Sequence, residues 1–464
     1  MQGDEKIWKG IIPLIGILAL SFAVSCGILG PRESLIPEAV KNSIEERIAN
    51  SESVGMVAGI VDSKGKTEYF CRGTRGLEDD RPVNEHTVYE IGSISKVFTC
   101  TVLAAMARDG LIGLSDPAGM HLPEGVTLPS QNGKEITLEH LATHTSALPR
   151  MPANFKPADP LNPYADYSVR DMYDFLSQCT LRRDIGSQYE YSNLGMGLLG
   201  HILALKEGKS YEDLIAGRIC RPLNMESTVI TLTPELRDRL AVPHNPKGEV
   251  SLWDIPALAG AGAIRSTADD MLAFLYANMG LGQTELLPAM ETAHKPRVDA
   301  GEDARVGLGW HIRDNGKTEI LWHNGGTGGF RTFAGFVKEK KMGAVVLSNM
   351  SIGQDDIGFH LLDDSYELKA VEDIFRLEPQ ALGGYAGTYK SSDDGEVYSV
   401  KRRGRQLILS TSEGRPVILF PKSETAFTIK FSAMRIEFDV SPSGQVEGMV
   451  MKEPLKKTRA EKIE

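Results

Sequence analysis

Three short groups of residues, far apart in the chain, could together carry out acyl transfer. Ser93-Ile94-Ser95-Lys96 sets a hydroxyl and an amine three residues apart, which on a helix places them on one face. A serine hydroxyl is a poor nucleophile unless a base takes its proton. A lysine serves as that base when burial and neighbouring positive charge bring its pKa down from about 10.4. The start of a helix adds positive potential, which opposes protonation of Lys96 and favours an oxyanion. Tyr191-Ser192-Asn193 lies between a polar loop and a small-residue helical pattern over 194–205. Its phenol could relay the serine proton to a leaving group, and its amide could hold a substrate carbonyl. His323-Asn324-Gly325-Gly326 ends a strand-like run. Small residues there let a substrate lie along the strand edge. An N–H at that edge would complete an oxyanion hole with the N–H of Ser93.

Each pattern has a competitor. Ser63-Lys64-Gly65-Lys66 also matches S-x-x-K, but it sits in a Gly/Lys turn with no helix to orient the pair. Tyr276-Ala277-Asn278 also matches Y-x-N, but it falls late in an apolar helix, where tyrosine packs. The glycines at 325–329 lack the G-K-[ST] of a phosphate loop. His140 and His144 have the spacing of a helical metal pair, yet no Glu follows the first and no third ligand is evident, so both read as structural. No metal and no organic cofactor is expected. Cys26, Cys71, Cys100, Cys179 and Cys220 show no CxxC spacing, and small buried hydrophobes are the favoured reading. Ser266-Thr267-Ala268-Asp269 has the form of a helix start. Trp310 and Trp322 read as core. Arg331 could bind a substrate carboxylate, against the alternative of a solvated strand residue.

In this order, the three groups resemble those of class C β-lactamases and the related serine DD-peptidases and esterases, which carry S-x-S-K, Y-x-N and K-T-G or H-x-G. The surrounding sequence is similar too, at Tyr89-Glu90-Ile91-Gly92, at the stretch His140 through Pro149, and at 323–330 with 343–349. The resemblance covers residues 38 to 350. It implies that Ser93 is acylated, that Lys96 and Tyr191 handle the proton, and that Asn193 positions substrate. It also implies that Ser93 and Gly326 supply the oxyanion N–H groups, and that His323, Gly325 and Gly326 form the substrate-binding strand edge. His323 replaces the family's lysine, as in DD-peptidases, D-amino-acid peptidases and esterases. A neutral imidazole holds a carboxylate less strongly than an ammonium. Arg150-Met151 stands where class C enzymes tend to carry a substrate-binding Gln.

The elements that must position these residues are also legible. A helix pattern over 37–49 puts Val40, Ile44 and Ile48 on one stripe, and strand-like runs follow at 55–60 and 67–71. Residues 91–109 read as a helix ended by Gly110. The middle, 111–280, is mostly helical, with a loop of five prolines over 149–163. Strands return at 319–323, 330–337 and 343–347. Helices between strands from both ends imply an α+β fold, an antiparallel sheet flanked by helices with an all-helical subdomain. From 380 onward short, evenly spaced strands at 385–389, 398–401, 406–410, 417–420, 427–431 and 435–440 imply a small C-terminal β-barrel or sandwich. It resembles the lipocalin-like domain that follows some family members. The expected divisions are 1–26 export signal, 27–36 tether, 37–370 hydrolase, 380–455 all-β domain and 456–464 frayed charged tail.

Composition bounds the rest. A chain of 464 residues with 41% hydrophobic and 24% charged residues builds a packed core, and its length exceeds one ordinary domain. A formal charge of −11 gives no counterion release, which sets nucleic acid aside as a partner. Lys6 and Lys9 precede an apolar run over 11–24, the form of an export signal. Ala23-Val24-Ser25-Cys26-Gly27 has the form of a lipoprotein processing site, at which Cys26 becomes lipidated and attaches the protein to a membrane. The alternatives are a plain cleaved signal or an uncleaved anchor. The sequence therefore points to an exported serine hydrolase of the cell envelope that acts on β-lactams, D-amino-acid peptides or esters. The alternative is a penicillin-binding sensor that acylates with little turnover. A catalytically dead module working through its β-rich end is disfavoured, because Ser93, Lys96, Tyr191 and Asn193 are all intact.

Overall fold

Helix α1 (Glu38–Ala49) forms because Val40 and Ile44, four residues apart, share one buried stripe. Strands β1 (Gly55–Val61) and β2 (Thr67–Gly73) follow as a hairpin. Its turn is closed by Asp62, whose Oδ1 accepts the N–H groups of Lys64 (2.8 Å) and Lys66 (2.9 Å). The competing S-x-x-K is thus an exposed turn. The structure is a computed structural model, and it describes residues 34–301, 304–371, 375, 377–403, 406–411, 416–429, 434–453 and 456–464. The expected export signal, Cys26 and most of the tether lie outside the described residues. Leu35 and Ile36 do not behave as tether: Ile36 is fully buried, and the Leu35 N–H donates to Glu68 Oε2 at 2.9 Å. Ile36 joins the apolar stripe of α1 on the sheet, so the packed part includes residues assigned to the tether.

The chain leaves the sheet after β2 and returns with β3 (Val298–Asp299), β4 (Ala304–Val306), β5 (His311–Asp314), β6 (Glu319–Gly326), β7 (Arg331–Val337) and β8 (Met342–Ser348). These make one eight-stranded antiparallel sheet in the order β2-β1-β8-β7-β6-β5-β4-β3. Side chains alternate across a strand. Met56, Ala58 and Ile60 of β1 face one core, with α1 and α5 (Asp355–Leu362), while Val57 and Val61 face the other. The second core is covered by the helices inserted between β2 and β3, chiefly α2 (Ser95–Arg108), α3 (Asn193–Glu207) and α4 (Ala268–Asn278). Phe98 of α2 stacks on Phe274 of α4 with centroids 4.3 Å apart. The proline-rich 149–163 stretch is irregular, as expected.

Arg47 pins α1 to α5. It is 2% exposed and donates to Gln354 Oε1 (2.6 Å) and to both carboxylate oxygens of Asp356. Removing one partner of a buried pair leaves an uncompensated charge. Arg47→Ala is therefore expected to cost about 3–5 kcal/mol in urea unfolding, with turnover by the folded fraction unchanged. A loss under 1 kcal/mol would show the pair to be idle.

Eight more strands form a closed barrel: β9 (Gly387–Ser391), β10 (Val397–Arg403), β11 (Gln406–Thr411), β12 (Val417–Pro421), β13 (Ala426–Thr428), β14 (Arg435–Val440), β15 (Val446–Lys452) and β16 (Lys457–Lys462). A helix, Pro379–Tyr385, precedes it and sends Leu382 and Tyr385 into the barrel core. The supposed frayed tail is instead β16, which closes the barrel by pairing with β9 and β15. Thr458 and Ala460 point inward and are buried, while Lys457, Arg459 and Glu461 face out. Its inward residues are too small to signal a strand by hydrophobicity. The barrel is joined to the hydrolase part. Arg403 donates to Gly76 O at 2.6 Å, and Ile408, Ile418 and Phe420 pack with Val54, Leu77 and Met350. It also meets a small hairpin, His244–Asn245 with Gly248–Glu249. Gly248 takes φ +126°, and Pro416 O lies 2.3 Å from where a Cβ would stand. Among the described residues, no helix is long and apolar enough to cross a membrane.

Candidate active site

Ser93 lies not within α2 but in a tight 3-10 turn, Gly92–Ile94, that feeds into it. Gly92 adopts φ +51°, and Gly326 N of β6 lies 2.7 Å from where a Cβ would stand. Glycine at 92 is what lets the Ser93 turn press against the strand. Lys96, in the first turn of α2, is fully buried. Its Nζ donates to Ser93 Oγ (2.9 Å) and to Ala261 O (2.6 Å). Burial, and then the positive charge of Arg150, hold its pKa well below the usual lysine value. Burial thus disfavours the charged form of the amine that touches the hydroxyl.

Tyr191 precedes α3. Ser192 caps that helix by accepting the Gly195 N–H at 2.9 Å. The Ser192 N–H donates to His144 Nδ1 (3.1 Å), and Ser192 Oγ donates to Pro149 O (2.7 Å). The loop 144–149 thereby fixes Tyr191, whose ring lies 4.6 Å from that of His144. Lys96 Nζ sits 4.8 Å from the Tyr191 ring centroid. Burial pushes the phenol pKa up, and a hydrogen bond with Ser93 opposes the shift. The three expected groups therefore meet around Ser93.

The substrate-facing residues divide. Ser93, Asn193 and Gly326 line a narrow cleft. His323 and Gly325, expected at the substrate edge, are buried and are not among the residues that line the cleft. His323 is 1% exposed, and its Nδ1 bonds Asn324 O at 2.6 Å. Burial first, then His311 and Lys96, keep it neutral. Gly325 is buried, and Ile91 O stands where a Cβ would go, leaving no room for a side chain. Arg331 donates to Phe330 O (3.0 Å) and Thr327 O (3.2 Å), so it shapes the loop instead of facing a carboxylate.

The competitors are structural. Asn278 donates to Phe274 O and bonds His294 within the core. His140 caps a short helix through Thr137. Thr267 caps α4. Trp310 is fully buried, and Trp322 stacks on Phe333. Cys71, Cys100, Cys179 and Cys220 are free thiols, and the described residues hold no cluster able to bind a metal ion.

Sequence reasoning missed the opposite wall. Tyr164, Trp253, Ile255 and Thr327 line the same cleft. Phe155, Tyr164 and Trp253 pack in series, with centroids 5.1 and 5.2 Å apart. A buried ion pair holds Trp253: its N–H donates to Glu90 Oε1 (2.8 Å), and its carbonyl accepts from Arg265 Nη2 (2.9 Å). The only available signal was a lone tryptophan in an otherwise irregular stretch.

Comparison with known proteins agrees with this geometry. The Beta-lactamase family profile matches residues 40–361. The chain belongs to the Beta-lactamase family. It is a serine hydrolase by that membership, with the mixed fold described above. D-alanyl-D-alanine-carboxypeptidase/endopeptidase AmpH of Escherichia coli (strain K12) is 31% identical over 330 residues, covering 66% of this chain and 84% of that protein. A Beta-lactamase of the same strain is 27% identical, covering 72% and 93%. A class C beta lactamase structure from Rhodobacter sphaeroides superposes with a TM-score of 0.59 at 26% identity, covering 68% of this chain and 95% of that one. The family match stops before the barrel.

Proposed function

We propose that the protein is an exported acyl-transfer hydrolase that forms an acyl-enzyme on Ser93 and acts on β-lactams or D-amino-acid peptides. The reading rests on one observation above all, the 2.9 Å contact between the Ser93 hydroxyl and a fully buried Lys96 amine whose charged form burial disfavours. Lys96 takes the proton as Ser93 Oγ attacks the carbonyl carbon. The N–H groups of Ser93 and Gly326 receive the developing oxyanion. Tyr191 passes the proton to the leaving nitrogen, and Asn193 holds the acyl part. Water then attacks the ester, its proton leaving by the same pair, and the acid product departs. Buried neutral His323 supports Tyr191 from behind instead of gripping substrate. Export, with lipid attachment through Cys26, follows from the sequence at 6–27.

The test is intact-mass and peptide mapping of the full chain after mixing with benzylpenicillin. The expected result is a transient adduct of one penicilloyl unit on the peptide carrying Ser93. An adduct that persists for hours would favour the penicillin-binding sensor instead. No adduct on Ser93 with any β-lactam or D-Ala-D-Ala peptide would overturn the assignment. Labelling with radioactive palmitate, lost in Cys26→Ser, checks the lipid.

A further inference from the structure

Arg150 lies beside Tyr191 and Asn193, and the reaction above leaves it unused. Its backbone carbonyl accepts the N–H groups of Asn193 (3.0 Å) and Leu194 (3.2 Å), so residue 150 is fixed to the start of α3. Its guanidinium carbon lies 4.9 Å from the Tyr191 ring centroid. The residue is exposed. Among the described residues its guanidinium has no hydrogen-bond or ion-pair partner.

The other cations nearby are engaged wholly or in part. Lys96 is buried on Ser93 and Ala261. Arg331 donates to two loop carbonyls through Nη1. Arg265 pairs with Glu90. His323 is buried and neutral. In a chain of net charge −11, one anchored, open guanidinium next to Tyr191 and to the cleft-lining Asn193 is a specific feature. Its planar fork matches a carboxylate with two parallel N–H donors. The adjacent amide of Asn193 and the aromatic wall of Tyr164 and Trp253 add a polar and an apolar contact beside it.

We propose that Arg150 forms an anion subsite of the cleft, which anchors a carboxylate of the substrate while Ser93 attacks. The inference rests on the acyl-transfer reading of Ser93. The carboxylate can belong to the leaving half, as at a peptide C-terminus, or to the acyl half. Matched substrates separate the two. One pair is an N-acyl-D-Ala-D-Ala peptide and its C-terminal methyl amide. The other is the p-nitrophenyl esters of N-succinyl-D-alanine and N-butyryl-D-alanine.

In Arg150→Gln of the full chain, the ratio of kcat/KM for the charged over the neutral member is expected to fall about tenfold or more in one pair, mainly through KM. The pair that responds identifies the half that carries the charge. Arg150→Lys should restore part of the ratio, and Arg150→Glu should lower it further. The wild-type preference should shrink as salt rises, because the group is exposed. A ratio that moves in neither pair overturns the subsite, while continued Ser93 adduct formation leaves the reaction standing. Absence of that adduct in the unaltered chain overturns the reaction instead.

Discussion

Ser93→Ala is expected to lower kcat/KM on nitrocefin or a D-Ala-D-Ala peptide by about 10⁴-fold or more and to abolish the covalent adduct. The substitution removes one oxygen from a partly exposed position in a 3-10 turn, so the fold should survive. What remains is an oxyanion hole and a binding cleft, which still accelerate water attack modestly over solution. Stopped-flow assay with circular dichroism as the folding control measures it. Retained turnover in a folded variant would move the chemistry away from this turn.

Lys96→Met should cost about 10²- to 10⁴-fold, the range of a positioned general base. It should also make the protein more stable. Burial disfavours the charged amine, and the folded-state pKa is depressed from the usual lysine value. Between the depressed folded value and the unfolded value, the unfolded chain binds a proton that the folded chain does not. Stability therefore rises with pH through this window, and at neutral pH Lys96 is a net cost. Methionine removes the cost and fills the space. Activity has the matching sign: kcat/KM of the unaltered protein should fall as pH drops through the depressed lysine pKa. A Tm that falls in Lys96→Met, together with an acid limb that stays in place, would show that the amine is not the base.

The nucleophile motif, the Tyr191 turn and the end of β6 were legible because each is short and local, and each sits where a helix or strand begins or ends. The main strands were legible because β1, β7 and β8 are almost continuously apolar. Other features depended on contacts that no local pattern encodes. Trp253 is held by Glu90, 163 residues away, and by Arg265, 12 residues further on. His323 and Gly325 share a motif with Gly326, yet alternation along β6 buries the first and third residues and exposes the last. Strand β16 was hidden because Thr458 and Ala460 are small. Ser93 stands outside α2, although the expected helix over 91–109 included it, because a positive φ at Gly92 breaks the helical path just before it.

The small hairpin at 244–249 has a mechanical consequence. On one side Gly248 rests against Pro416 of the barrel, with no space for a methyl group between them. On the other, the His244 N–H reaches Gly329 O at 3.2 Å, in the loop that follows β6. The chain then runs directly on to Trp253. The barrel thus acts as a buttress whose thrust ends on two flanks of the catalytic gap, since packed interiors transmit displacement with little give. Alterations on the barrel face near Pro416 should therefore be felt first as changed tolerance for bulky substrates, before any change in the bond-breaking machinery.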